Sequence, residues 1–497
     1  MGRRRGCALA LAGLCAELGA LGAGAAELAP RRHLWPHARG HPGNYSLTEH
    51  KGPRSMRDSL AWTWHHPEGR WAAIAAGAVL DADANIYLSC MDGIRKFSPG
   101  GALLWFHAQN GPRDFISSMP SLEGDLLLCG TMDAQVLALS TKTGATVWSK
   151  RVAEGQHPDA PCVEAIDGVV TVAAGGSAPV GMLDNGASGN RLVVALNASN
   201  GNFLWEFNTD EPLKNFMPMT NGDGTIVFMD VRGGLYRLGL HNGSLIWHVP
   251  VASPWRNSAT GGGVFLGHND VAYTCSNQGV GLVGTSGVVR AFALDDGRLL
   301  WDRELPLPCS TWPALSREGE TLVVPSGATP MAVSPAYVLL PKWLPSPVMI
   351  MVHILSLALG SEQPLLWRNP PLEAEVLAFD ARTGESRWSY KVPPWTQTMA
   401  KSDERFFIER SRVYEKRPAC GPMSWSSPTI DGRGNVYVGN LNGLLYGLRD
   451  ANGDGRIEGP DEVDTFDTDA GFLPGGAAFG PGLMAIASCD TLWVFRS

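Results

Sequence analysis

The sequence predicts an all-β fold: an eight-bladed β-propeller of four-stranded blades, closed by an N-terminal strand. Three observations lead there. First, six tryptophans each follow a glycine by four positions: Gly101/Trp105, Gly144/Trp148, Gly201/Trp205, Gly243/Trp247, Gly297/Trp301 and Gly384/Trp388. With 17 tryptophans and 59 glycines in 497 residues, about two such pairs are expected by chance. Second, apolar runs precede them in register: 136–140, 192–196, 234–238, 288–292 and 376–380. Third, the unit recurs every ~40–55 residues, the size of one propeller blade, and no helical period extends over a comparable length.

Each unit reads as a β-hairpin. An apolar strand enters a turn whose glycine takes positive φ, and a second strand ends in Trp. Upstream lies a further strand pair, as in 434–439 followed by Asn442-Gly443, which completes four strands. Seven units have their own pattern, centred on 77–106, 119–149, 161–206, 217–248, 258–302, 310–389 and 424–467. The C-terminus adds strands at 483–488 and 491–495 but no closing Trp strand. Residues 60–64, Leu-Ala-Trp-Thr-Trp, supply one, so the chain closes the ring on itself and removes the open edge.

Before that strand, Arg3-Arg4-Arg5 and an apolar stretch ending in Ala23-Gly24-Ala25 predict a secretory signal over 1–25, interrupted by Glu17 and too short to span a bilayer. Residues 26–59 read as a linker. Sequons at Asn44, Asn197 and Asn242 fit a secreted or lumenal glycoprotein. Net charge is -8 without a basic patch, which weighs against nucleic acid. The seven cysteines beyond the signal lack metal-type spacing and read mainly as small buried hydrophobes, with at least one unpaired within the chain.

The eleven residues from Ala378 to Trp388 resemble the tryptophan-docking motif of the pyrroloquinoline-quinone-like repeat propellers; 138–148, 195–205 and 291–301 match with small departures. The resemblance covers 60–497. It implies that Trp105, Trp148, Trp205, Trp247, Trp301 and Trp388 hold neighbouring blades together. That family includes quinoprotein alcohol dehydrogenases and outer-membrane assembly factors that carry no cofactor. The enzymes use quinone, Ca2+, an aspartate base and a disulfide between adjacent cysteines. This chain has no Cys-Cys pair, and no residue matches the catalytic aspartate or quinone-site calcium ligands, so none is carried over. The expectation is a non-catalytic scaffold for a protein, peptide or other ligand, with a pyrroloquinoline-quinone-dependent dehydrogenase as the alternative.

One stretch has a metal-binding pattern of its own. Asp450, Asn452, Asp454, the Arg456 carbonyl and Asp461 occupy positions 1, 3, 5, 7 and 12 of a calcium-loop spacing, with Gly455 at the sharp turn and Ile457 as the apolar anchor. Asp at the twelfth position resembles dockerin-type loops more than sensor EF-hands, and the adjacent Glu462 is a substitute ligand. The expected Ca2+ is structural, pinning an enlarged hairpin.

Two other features remain. Trp255, Trp312 and Trp425 each lie between one blade's last strand and the next blade's first, where they line a ligand funnel or pack between blades. An insert over 328–375 interrupts the sixth blade, and its apolar 347–360 segment is short for a membrane span but suited to packing on the ring or touching a membrane or partner.

Overall fold

The computed structural model describes residues 32–42, 44–67, 77–109, 116, 118–131, 133–153, 162–176, 189–213, 216–250, 257–258, 263–278, 286–328, 351, 371–397, 400–402 and 424–497. These fall in the unit Arg32–Ser497. The predicted secretory signal and most of the blade 6 insert, including all of 347–360 but Met351, lie outside the described residues.

Eight antiparallel sheets form the blades of a propeller, in the order the repeat predicts. Blade 1 is typical: Val79–Leu80, Ile86–Cys90, Gly93–Phe97 and Leu103–Ala108 pair consecutively from the innermost strand outward. Its two middle strands are buried throughout. Neighbouring sheets cover both faces of such strands, so they do not alternate strictly, and the buried Arg95 and Lys96 of Gly93–Phe97 are paired with Asp92 and Asp81. Blade 4 has three regular strands, and Met219 bridges Val227 where the innermost strand runs. Blade 5 gains a short extra pairing at Asn257–Ser258.

Closure occurs as the sequence predicts. Leu60–His65 adds to Thr491–Arg496 as the outer strand of blade 8, with Thr63 opposite Trp493 and His65 opposite Thr491. Five of the six docking tryptophans repeat one hydrogen bond, from the indole Nε1 to a carbonyl of the next blade, while Trp388 packs in a cluster with Ile457. Trp105 reaches Thr141 at 3.1 Å, Trp148 reaches Ala198 at 2.9 Å, and Trp205 reaches Leu240 at 2.8 Å. Trp247 reaches Leu294 at 3.0 Å, and Trp301 reaches Ala381 at 3.0 Å. Trp62 of the closing strand does the same to Pro99 of blade 1 at 2.9 Å.

A β-bulge precedes the tryptophan on the outer strand. In blade 3, Ala195 pairs with Trp205 but Leu196 pairs with Phe203, leaving Leu204 between them. The same shift occurs in blades 1, 2, 4, 5 and 6. A bulge turns two successive side chains outward and twists the edge. That places pairs of large apolar residues on the rim: Leu103/Leu104, Phe203/Leu204, Leu245/Ile246 and Leu299/Leu300 are each between 39% and 54% exposed.

Of the cysteines, Cys90, Cys129 and Cys162 are buried thiols, as expected of small hydrophobes, while Cys275 is joined to Cys309 and Cys489 also lies in a disulfide. The disulfides are not readable from spacing. No helix among the described residues is long and apolar enough to cross a membrane.

Candidate functional site

The stretch read as a linker is packed across one mouth of the central channel. Its backbone and side chains touch every blade. Trp35 exchanges backbone hydrogen bonds with Leu80 of blade 1 and lies 6.3 Å from the Phe479 ring of blade 8. The Leu122 N–H of blade 2 donates to Pro36 O, and His37 Nδ1 lies 2.6 Å from Glu164 of blade 3. The Tyr45 hydroxyl accepts from Thr220 N of blade 4 at 3.2 Å, and Thr48 N donates to Ile430 O of blade 7 at 3.0 Å.

Arg39 is the centre of this cover and is 2% exposed. Its guanidinium stands 5.4 Å from the Phe265 ring of blade 5 and 5.8 Å from the Trp312 ring of blade 6. It donates to Ser46 Oγ at 2.7 Å and to Pro313 O at 2.6 Å. Burial holds its pKa down to about 9, partly opposed by Tyr45 and Cys162. A cation so placed is stabilised by ring quadrupoles and carbonyl oxygen in place of a carboxylate. The sequence signal for this segment was its density of aromatic and histidine residues, which has no period to match.

Beside the cover a cavity of about 460 Å3 opens, lined by Arg32, His33, His41, His50, His268 and Arg317 over a floor of Leu34, Trp35 and Leu47. His33 Nε2 bonds Gly124 O at 2.9 Å, and His268 Nε2 bonds Arg317 O at 3.1 Å. His41 is pushed down to about 4 by burial and by the neighbouring charges of Arg32 and His37.

The three tryptophans proposed for a funnel are not brought together as one exposed surface. Trp312 is 1% exposed beneath Arg39, and Trp425 is 0% exposed, with its indole bonded to Ser326 O at 3.0 Å and its ring beside Tyr446. Trp255 lies outside the described residues.

The 450–462 loop folds around its own carboxylates. Asp450 accepts from the N–H groups of Gly453 at 2.8 Å and Gly455 at 3.2 Å; Asn452 accepts from Asp454, and Asp454 from Arg456, each at 2.8 Å. Gly455 takes φ +79, as the sharp turn requires, and Ile457 is buried with Trp388 and Tyr446. At the end of the loop, Asp461 is exposed whereas Glu462 turns in. Its carboxylate accepts from Glu458 and Ala451 at 2.9 Å and Asn452 at 3.3 Å, and these N–H groups hold its pKa below the usual range. The oxygen-only donor set suits a hard cation such as Ca2+. Arg456 also bridges to Ser389 on the outer strand of blade 6, so the loop lies along the seam between blades 6 and 7.

Among the described residues, one group of three or more His, Cys, Asp or Glu side chains converges within coordination range: His66, Cys90 and Asp92. Arg95 grips both Asp92 oxygens at 2.7 and 2.6 Å, while His66 Nε2 lies 3.2 Å from Oδ2. Burial raises the Asp92 pKa, but Arg95 and His66 outweigh it, so the carboxyl titrates well below its usual range. This network ties the end of the closing strand to blade 1.

Residues 91–304 match a family model described as outer membrane protein assembly factor BamB. The quinoprotein alcohol dehydrogenase PedH of Pseudomonas putida is 31% identical over 147 residues, 29% of this chain; the match spans only 22% of that enzyme. The fold is similar to BamB from Moraxella catarrhalis, with TM-score 0.53 and 13% identity over 88% of this chain and 97% of that one. It is also similar to quinohemoprotein alcohol dehydrogenase from Comamonas testosteroni, with TM-score 0.58 and 11% identity over 93% of this chain and 80% of that one. At these identities the structural likeness is one of fold. The repeats are of the pyrroloquinoline-quinone-like type.

Proposed function

We propose that this propeller is a secreted or lumenal scaffold that holds a protein partner at its rim, with a structural Ca2+ in the 450–462 loop. The observation that carries the reading is the row of apolar pairs on the outer strands of blades 1, 3, 4 and 5, each residue 39–54% exposed, with Val147 of blade 2 at 53%. Four of the first five blades repeat an apolar pair that an isolated soluble ring has no need to expose. The bulge beside each pair discourages edge-to-edge strand addition, so the pairs act as knobs for a partner's grooves. Similarity to an outer membrane protein assembly factor supports a role in assembly rather than turnover.

Asp450, Asn452, Asp454, the Arg456 carbonyl and Glu462 would hold the calcium, which supplies positive charge to a cluster of carboxylates and fixes the loop on blade 6. Secretion rests on the N-terminal sequence and the sequons.

The second reading, a quinone-dependent dehydrogenase, draws on the identity to PedH. One comparison separates the two. The full chain and a variant carrying Leu245→Glu and Ile246→Glu are cross-linked in the native secretory compartment, and purified protein is assayed for dye reduction with pyrroloquinoline quinone and alcohols. A cross-linked partner present with the wild type and absent with the variant, without dye reduction, supports the scaffold. Quinone-dependent turnover with an unchanged cross-link pattern overturns it.

A further inference from the structure

We propose that the cavity at the covered channel mouth is a binding site for a small molecule carrying a multiply charged anionic group, a phosphate ester or a polycarboxylate. This inference is independent of any partner at the rim. The cavity volume, about 460 Å3, is that of a small-ligand pocket. Its walls concentrate basic and imidazole groups in a chain whose net charge is -8. Arg32 and Arg317 reach it from the N-terminal cover and from the first turn of blade 6, and four histidines join them against one acid, Glu49.

The donors are under-used. Neither Arg32 nor Arg317 has a carboxylate partner among the described residues, and the Arg317 guanidinium donates a long bond to Thr48 O at 3.3 Å. The Trp35 indole N–H, on a side chain 2% exposed that forms part of the floor, is buried without a partner. A multiply charged anion would meet Arg and His donors from two sides over the apolar floor of Leu34 and Leu47, which matches a ligand with a charged head and a small apolar body.

A metal ion does not suit the same residues. The histidine nitrogens around the cavity are not among the groups that converge within coordination range. Donors spread around a cavity suit a ligand that spans it. Burial is the main cause of the depressed pKa of His41, and the smaller contribution of positive charge from Arg32 and His37 is one that an anion would offset.

The test is calorimetric titration and thermal melting of the full chain with pyrophosphate, inorganic phosphate and citrate, each at matched ionic strength. Saturable binding of pyrophosphate or phosphate but not citrate assigns a phosphate ester; the reverse assigns a polycarboxylate. The Arg317→Gln/His268→Gln variant is expected to bind at least ten-fold more weakly while melting like the wild type without ligand. If that variant melts lower, Arg32→Gln alone, at an exposed position, replaces it with the same expectation. No saturable binding to any of the three anions, or equal affinity in variants and wild type, overturns the site.

Discussion

Gly384 of blade 6 receives the indole of Trp301 from blade 5: a Cβ on Gly384 would lie 2.7 Å from Cε3 of that ring. The same relation holds for Gly144 with Trp105, Gly201 with Trp148 and Gly243 with Trp205. The glycine is therefore both the positive-φ turn residue, at +69 for Gly384, and the floor on which the preceding blade's tryptophan rests.

Gly384→Ala should thus destabilise the ring by more than the ~1–2 kcal/mol that a left-handed alanine costs, because the ring must also shift. Chemical denaturation measures the loss. Glu385→Ala, one position on in an exposed turn, is the control and should fall within ~0.5 kcal/mol of wild type. Equal stability of the two variants would refute the docking role.

At the seam between blades 6 and 7 the short glycine turn is replaced by the 450–462 loop, which reaches blade 6 through Arg456 and buries Ile457 beside Trp388. Calcium should therefore raise the melting temperature and EDTA should lower it, through mass action on the native state. Glu462→Gln should weaken calcium binding at least ten-fold, whereas Asp461→Asn should change it less than three-fold, since only Glu462 turns into the loop. Calorimetric titration distinguishes them; a larger effect of Asp461 would restore the spacing-based assignment.

The ring was legible in the sequence because its repeat uses residue types with few substitutes: a glycine for positive φ and a tryptophan for the seam. That Trp301 docks on Gly384 and not on its own blade's Gly297 was not legible, since the contact joins neighbouring units across the interrupting insert. Asp461 and Glu462 are adjacent, and strict spacing selects the one that the chain turns outward. The channel cover escaped for a different reason. Trp35, Arg39 and Tyr45 each answer to a different blade, so their partners impose no period on 32–56. A charged residue such as Arg39 also reads as solvent-facing until Phe265 and Trp312 enclose it.

The cover should loosen in acid. His41 titrates near 4 when folded, against about 6.5 when unfolded, because burial and the charges of Arg32 and His37 exclude the proton. A depressed histidine contributes stability that is complete above about pH 6.5 and is lost as pH falls toward 4. Hydrogen exchange in 33–50, corrected for intrinsic rates, should accelerate between pH 7 and pH 4.5 and do so less in His41→Gln. Identical acceleration in the variant would remove His41 from the cause.

Asp230 carries the opposite sign. Burial, with Glu211 nearby, raises its pKa to about 6 despite hydrogen bonds from Gly234, Arg232 and Tyr236. A raised carboxyl contributes stability that is present below about pH 4 and lost as pH rises through 6, on the order of 3 kcal/mol for a shift of this size. Asp230→Asn keeps an acceptor for the turn N–H groups. It should be more stable than the wild type at pH 7.5 by about that amount, with the difference vanishing near pH 4. Denaturation at the two pH values reads it directly, and a wild type that is more stable at pH 7.5 would contradict the assignment.

The sequons divide by accessibility. Ser199 and Ser244 are exposed and donate to the side-chain oxygens of Asn197 at 2.6 Å and Asn242 at 2.9 Å, on the outer turns of blades 3 and 4. In the third sequon, Tyr45 and Ser46 belong to the cover itself and are 2% and 1% exposed, and Ser46 is held by Arg39. A transferase acting on folded chain can reach the first two and not the third. Expression through a secretory pathway should yield glycans on Asn197 and Asn242, each lost with Asn→Gln, and Asn44 should stay bare. Peptide mass spectrometry after glycosidase treatment in heavy-oxygen water counts the sites. A glycan on Asn44 would require modification before the cover packs, and bare Asn197 and Asn242 on a secreted chain would contradict their accessibility.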